Sequence, residues 1–408
     1  MSVEKNLIKS KAFKDNFGQY MVWSGIYCGN NVYPGCVLIF YIVHTFFLLY
    51  TLILSISKDN EKLMGETAHF TAFRFSAILL LINGLWKKED LEALFLKLCQ
   101  PQVHDYGNTL SDQCRKDIEG ARQNCKARKD FYGPNFMRTV TVALVIFWIR
   151  SLMEYFNGHL DNPKSDDGIN SNLPVPTYLP YESHEWPGYH FALVCEVLLV
   201  MMSYFLVLGH DCSFICFAEE ILRELDILII TLTEVERRID HVRKSSNYKI
   251  SQEESVRLCL KHSVMHHQKV IHIFEHFQHY CFHSLFFMLS GGAFLICLSS
   301  LMFTSDTISL RDKSVFLMFL GNELFHIFIF CYYGEHIMGK SDDVGNSLYN
   351  SSWVGISKHV KPTFMLLNLR CQVPLTLSAG GFMTASFDTY GNVLRTAYSY
   401  LNLLQATN

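Results

Sequence analysis

Apolar residues along this chain gather into seven runs, each near the twenty positions a helix needs to cross a bilayer. They cover residues 36–56, 63–85, 136–155, 189–208, 282–303, 315–333 and 373–404. Long polar stretches at 89–135, 209–280 and 339–372 separate them. The early part of 209–280 keeps an apolar stripe at helical spacing through Ile221, Leu222, Leu225, Leu228, Ile229, Leu232 and Val235, so it reads as a span continuing into water. The stretch 339–372 holds an amphipathic helix that ends at the Pro374 break. The pattern predicts an all-α membrane protein with seven transmembrane helices. Its divisions are a polar segment 1–35, six spans within 36–338 with helical extensions at 89–135 and 209–280 and a loop at 157–188, an anchor helix at 339–372, and a seventh helix with a short tail at 373–408.

The last run is unlike the others. Leu375, Phe382, Phe387, Leu394 and Leu401 make it apolar enough to span, while Thr376, Gly380, Gly381, Asp388, Asn392 and Asn402 would be costly against acyl chains. Such a mixture suits a helix facing a water-filled lumen, or one packed tightly among neighbours, and composition leaves both open.

Lys and Arg fix an orientation. The segment before the first span and the three long polar stretches, with their immediate flanks, carry 26 of them, against 5 on the opposite side. The expectation is a cytosolic N-terminus and an extracellular C-terminus, the reverse of a G-protein-coupled receptor. The loop 157–188 then falls outside, where it could cap a cavity. The sequon at Asn350 falls inside and should be silent.

Composition narrows the function. Half the residues are hydrophobic and Phe alone numbers 32, yet mean hydropathy is only +0.14, as expected for spans separated by charged segments. A net charge of −3 gives no electrostatic support for nucleic acid. The 13 cysteines are odd in number and absent from 157–188, so they read as reduced thiols. The first 35 residues lack an early apolar core, which predicts no cleavable signal peptide and leaves the first span as the targeting signal.

Ionisable residues inside spans are functional candidates: Glu66, His69, Arg74, Glu196, Glu323 and His326. Glu66 and His69 could equally sit at an interface, and Arg74 and Glu323 could be structural pairs in the bundle interior. Polar groups and aromatics cluster in the outer halves of the second, third, fourth and sixth spans. His69, Phe70 and Phe73, then Trp148, Ser151 and Tyr155, then Tyr189, and finally Phe319 and Asn322 form a candidate pocket for a small apolar molecule.

A histidine row at 272, 276, 279 and 283 lies along one helix face. Within it His272, Glu275 and His276 match the H-x-x-E-H pattern of one class of zinc peptidase, in which two imidazoles hold the metal and the Glu is the base. No obvious third ligand follows, and an interfacial face rich in histidine has the same spacing.

The C-terminal third carries a family resemblance. Lys361 and Pro362, the run PLTLSAGG from Pro374, and VLRTAYSYLNLL from Val393 resemble the C-terminal signature of insect odorant receptors. The Tyr-Cys-x-Tyr-Gly-like ending FCYYGE from Phe330, the Tyr349 to Trp353 spacing and the His266-His267-Gln268 stretch are similar to elements of the same family in the same order. The resemblance implies a ligand-tuning subunit that assembles with the shared co-receptor Orco into a heterotetrameric, odorant-gated, non-selective cation channel in the plasma membrane of olfactory sensory neurons. It implies no enzyme chemistry and no cofactor. The seventh helix would line the pore through Thr396, Ser399, Leu403 and Ala406, with Leu403 as a hydrophobic gate and Asn402 where the family often has Thr. A gustatory-type relative would share the topology, but Thr396-Ala397-Tyr398 followed by Gln405 departs from that group's ending.

Overall fold

The computed structural model describes residues 8, 10–27, 32–58, 60–98, 103–161, 168–170, 173–306, 308, 310–351 and 357–407. Two short helices, α1 (Lys11–Asp15) and α2 (Gly18–Ser24), precede α3 (Val32–Ser57) and α4 (Glu61–Trp86). These two pack as an antiparallel pair across a tight connection, where the Asn60 side chain accepts the Leu63 N–H as an N-cap. Then come α5 (Lys88–Leu98), α6 (Asp112–Asp161), α7 (Gly188–Thr233), α8 (Val235–Ser245), α9 (Gln252–Thr304), α10 (Leu310–Tyr349), α11 (Lys361–Cys371) and α12 (Phe387–Thr407).

Among the described residues, five helices are long and apolar enough to cross a membrane: α3, α4, α7, α9 and the 313–349 part of α10. The third run lies within α6, behind a charged first half, and most of the seventh lies in α12. Length separates the helices into sections. At ~1.5 Å per residue, the 46 residues of α7 and 53 of α9 far exceed a hydrocarbon core of ~30 Å. Each is therefore a continuous helix longer than one crossing needs, and the stripe from Ile221 to Leu232 lies on the part of α7 beyond the fourth run.

The emergent half of α7 is the hub. Cys212, Phe214, Phe217, Leu225 and Leu228 are buried on successive faces, against α2, α5, α6, α9 and α10. Charged residues in this section are paired. Glu219 accepts from Arg128 Nε at 2.7 Å and Tyr333 Oη at 3.0 Å, and Glu220 from Lys129 at 2.6 Å. Arg238 is fully buried, donating to the Thr109 and Thr231 carbonyls, with its guanidinium over the Tyr106 ring. A buried cation is tolerable only with its N–H groups met in this way.

The seventh run does not form the single helix expected over 373–404. Residues 374–386 instead make a hairpin, β1 (Ser378–Ala379) against β2 (Met383–Thr384), and the helix begins only at Phe387. Pro374 cannot donate a helical hydrogen bond, and Gly380 and Gly381 take φ of +64° and +79° between the strands. The Gln278 side chain grips Ser378 from both sides, donating to its carbonyl at 2.7 Å and accepting its N–H at 2.8 Å. The 21 residues that remain in α12 still cover ~30 Å, one hydrocarbon core. Similarly, the boundary expected at 339 is absent: α10 runs through to Tyr349, and the second helix of that stretch is the short α11.

Candidate ligand-binding site

Four helices line a partly open cavity of about 160 Å³ in the section of the bundle beside the loop that precedes α7. From α4 come His69, Phe70, Phe73 and Arg74; from α6, Val140, Leu144 and Phe147; from α7, Ser203 and Tyr204; and from α10, Phe319, Asn322 and Glu323. Val175 closes it from the loop. The volume is that of a cavity able to hold one small ring, roughly the 150 Å³ of an engineered apolar site that binds benzene.

The aromatic wall is ordered by ring contacts. His69 stacks on Phe319 at 4.4 Å with the planes 14° apart, and Phe70 meets both Phe147 and Phe319 edge-on. Offset and edge-on pairs of this kind hold the rings in place without filling the space between them. Two charged residues reach the lining, and each is anchored behind it. Arg74 Nη2 donates to Glu196 at 3.2 Å, and His44 Nε2 lies 2.8 Å from the other Glu196 oxygen. Arg74 Nη1 is buried with no partner among the described residues. Glu323 lies 3.8 Å from His326, which bonds Asp211 at 2.9 Å, and Asp211 in turn bonds His210 at 2.8 Å. Both charges are thus ends of buried polar chains running from the cavity into the bundle.

Of the residues expected at the pocket, the structure brings together His69, Phe70, Phe73, Phe319 and Asn322. Trp148 stands outside the lining. It is half-buried, and its neighbour Phe147 takes the inward face, because successive helical positions are ~100° apart. Tyr189 is also outside, buried with Leu173, Leu179 and Ala192 beneath the loop. The side chains of Ser151 and Tyr155 lie outside the described residues. Glu66 and His69 are buried, and Arg74 pairs across helices with Glu196 in the bundle interior. Sequence reasoning missed Val140, Leu144, Ser203 and Tyr204, which carry no signal beyond ordinary core composition.

Thr396, Ser399, Asn402 and Leu403 all lie on the exposed side of α12, Leu403 with 60% of its surface open, while Val393 and Ala397 pack inward. The side chain of Ala406 lies outside the described residues. The histidine row is divided. His276 Nδ1 bonds Asp90 at 2.8 Å, and His283 stacks on Trp86. His272 lies 3.7 Å from Glu275 and its ring centroid 4.8 Å from that of His276, on a face where the His272 and Glu275 side chains are 63% and 66% exposed, and among the described residues these groups form no set of three that could hold a metal ion.

At the opposite end from the cavity, where α7 and α9 have left the apolar section, His266 joins Tyr106 Oη at 2.7 Å to Glu224 at 2.9 Å. Burial opposes the charge on Glu224, but the His266 hydrogen bond and Arg223 outweigh it and hold the carboxyl down at about 2. His104, bonded to His262 at 3.0 Å, is pushed down to about 4 by burial and by His266, Lys269 and His262.

Helices long and apolar enough to cross a membrane, packed around an aromatic-lined cavity, are the architecture of a multi-pass membrane protein. The family model described as 7tm Odorant receptor matches residues 62–398, and the chain belongs to that family. It is similar to putative odorant receptor 92a of Drosophila melanogaster, 20% identical with 90% of this chain and 89% of the relative covered. Odorant receptor 9a of the same fly is 30% identical over 35% of this chain and 36% of its own. The fold is that of the insect olfactory receptor OR5 from Machilis hrabei, solved in complex with eugenol. The two superpose with a TM-score of 0.75 at 14% identity, over 99% of this chain and 100% of the other.

Proposed function

We propose that this chain is the odorant-binding subunit of a cation channel that it forms with Orco in the plasma membrane of olfactory neurons. The observation that carries the reading is the aromatic-lined cavity between α4, α6, α7 and α10, whose two charges continue as buried side-chain contacts to neighbouring helices. His69, Phe70, Phe73, Phe319 and Asn322 bind a ring-sized volatile by shape and dispersion. The eugenol-bound relative supports a ligand of this general size.

The Lys and Arg asymmetry supports a cavity in the outer half and an α7 hub in the cytosol. A ligand that fits the open arrangement better than the closed one shifts the population toward it. The exposed Thr396, Ser399, Asn402 and Leu403 face of α12 then meets its counterparts at a shared axis, with Ala406 on the same line, and Leu403 excludes ions by dewetting when shut.

Whole-cell recording from cells expressing this chain with Orco, G-protein signalling blocked, tests the proposal against a broad panel of volatiles. The expected result is a rapid cation current that needs both chains and whose block or permeability changes with Leu403→Ala or Asn402→Thr. Surface-expressed protein that gives no current with any volatile would overturn it.

A further inference from the structure

The turn between α8 and α9 carries a short basic run, Arg243-Lys244-Ser245-Ser246, followed by Lys249, and no carboxylate interrupts residues 241–252. Arginine stands three places before a serine or threonine at Thr141, Ser246 and Ser314, and only before Ser246 is the next position also basic. Thr141 lies within α6, where its hydroxyl donates to the Met137 carbonyl. Ser314 follows the other end of α9, far from this turn.

The backbone of the turn is strained. Asn247 and Tyr248 take φ of +50° and +58°, the left-handed region that side chains other than glycine rarely adopt. Their N–H groups close the end of α8 on the Lys244 and Arg243 carbonyls, at 3.0 and 2.8 Å. Opening this last turn relieves the strain and gives up few side-chain contacts. Arg243 makes no ion pair among the described residues and its Nε is unmet; its guanidinium rests over the Tyr248 ring, 5.5 Å from the centroid. Lys244, Ser245, Asn247, Tyr248 and Lys249 are exposed. Ser246 is half-buried, and its hydroxyl donates to the Arg243 carbonyl at 2.9 Å, a bond that goes when the turn opens.

We propose that Ser246 is a phosphorylation site, read by a serine/threonine kinase that selects arginine three places before its acceptor. Arg243 and Lys244 meet the carboxylates of such a kinase once the turn is extended. The Ser246 oxygen bonds to the γ-phosphorus of ATP as the bond to the bridging oxygen breaks. ADP leaves, and the hydroxyl proton passes to the kinase's catalytic carboxylate. The phosphate then stands at the C-terminal end of α8, beside carbonyls that already carry partial negative charge, and the Ser246 donation to Arg243 is lost. Modification therefore frays the last turn of α8, which packs on α9. Only access in the cell rests on the proposed cytosolic placement; recognition of the turn does not.

Full-length protein in its expressed assembly, in lipid nanodiscs with both faces open, tests recognition. The catalytic subunit of a cyclic-nucleotide-dependent protein kinase and ATP are added, and phosphopeptides are mapped by mass spectrometry. One phosphate is expected at Ser246. Arg243→Gln should slow its incorporation about tenfold. Arg243→Lys should slow it less, because the charge is kept and only the planar fork is lost. Amide hydrogen exchange over residues 242–249 should quicken in the modified protein. Ser246→Ala, treated alike, should show neither label nor change. Label that goes to Ser245 or Ser314 instead, label indifferent to Arg243→Gln, or no label at all would overturn the proposal. Sealed right-side-out vesicles with kinase and ATP outside should stay unlabelled at Ser246 until they are permeabilised. Label there without permeabilisation would count against the proposed topology and leave recognition of the turn standing.

Discussion

His326 Nε2 lies 2.9 Å from Asp211 Oδ2, joining α10 to α7 midway between the ligand cavity and the charged hub. His326 also reaches back to Glu323 in the cavity lining, and Asp211 forward to buried His210. No other chain of side-chain contacts described above runs from the cavity along α7 into its buried half. Removing one partner leaves the other buried and unmet, a change that typically costs about 3–5 kcal/mol.

Asp211→Asn should therefore destabilise strongly, and His326→Gln likewise. The double variant should lose less than the sum of the two, with a coupling of roughly 1–3 kcal/mol. Thermal unfolding of the purified wild type, single and double variants closes the cycle. Additive losses would show that the contact carries no interaction of its own.

The stacked His69 and Phe319 rings set the width of the cavity. Phe319→Leu should enlarge it and move the preferred ligand one or two carbons upward. Phe319→Trp should raise the half-maximal concentration of ring ligands at least tenfold, or ~1.4 kcal/mol. Dose–response curves over a homologous series read both effects. A ranking of ligands that neither variant alters would remove Phe319 from the site.

Much of this arrangement was legible in the chain because membrane solvation is a coarse and strong constraint. Six apolar runs map onto helices and the latter part of the seventh onto α12, and the stripe from Ile221 to Leu232 lies on α7 where that helix continues beyond the fourth run. Half-legible was the pocket: spacing could place His69, Phe70 and Phe73 on a span, but not decide between Phe147 and Trp148, which differ only by one helical step. The 374–386 hairpin was misread because its apolar residues satisfy a hydropathy window, while Pro374 and the Gly380-Gly381 pair decide the backbone locally. The Arg74–Glu196 pair spans 122 positions and left no local trace at all.

Gly334 lies where α10 crosses the residues leading into α12, and a Cβ there would stand 2.1 Å from the Ala385 carbonyl oxygen. Backbone offers no flexible side chain to move aside, so Gly334→Ala should cost at least the ~1–3 kcal/mol of core overpacking. Gly339→Ala, one and a half turns further along the same helix, meets nothing within 4 Å and should be neutral. Surface expression and melting temperature of the two variants, measured side by side, check the contrast. Equal behaviour would mean that the crossing at Gly334 is looser than the structure places it.

The cluster at the far end from the cavity predicts a pH dependence whose sign follows from His104. Burial and the nearby His266, Lys269 and His262 push its imidazole down to about 4 from the ordinary 6.5, while Asp105 pulls weakly the other way. The folded segment therefore holds His104 neutral, and the opened segment binds an extra proton between those two values. Its stabilisation is complete above about pH 6.5 and is lost progressively as pH falls toward 4. Hydrogen exchange across residues 103–122, corrected for intrinsic rates, should show weaker protection at pH 5 than at pH 7.5. His104→Gln, which cannot take up the proton, should flatten that difference even if it lowers protection at both values. Protection that is the same at both pH values in the wild type would mean that His104 is not held neutral by the cluster.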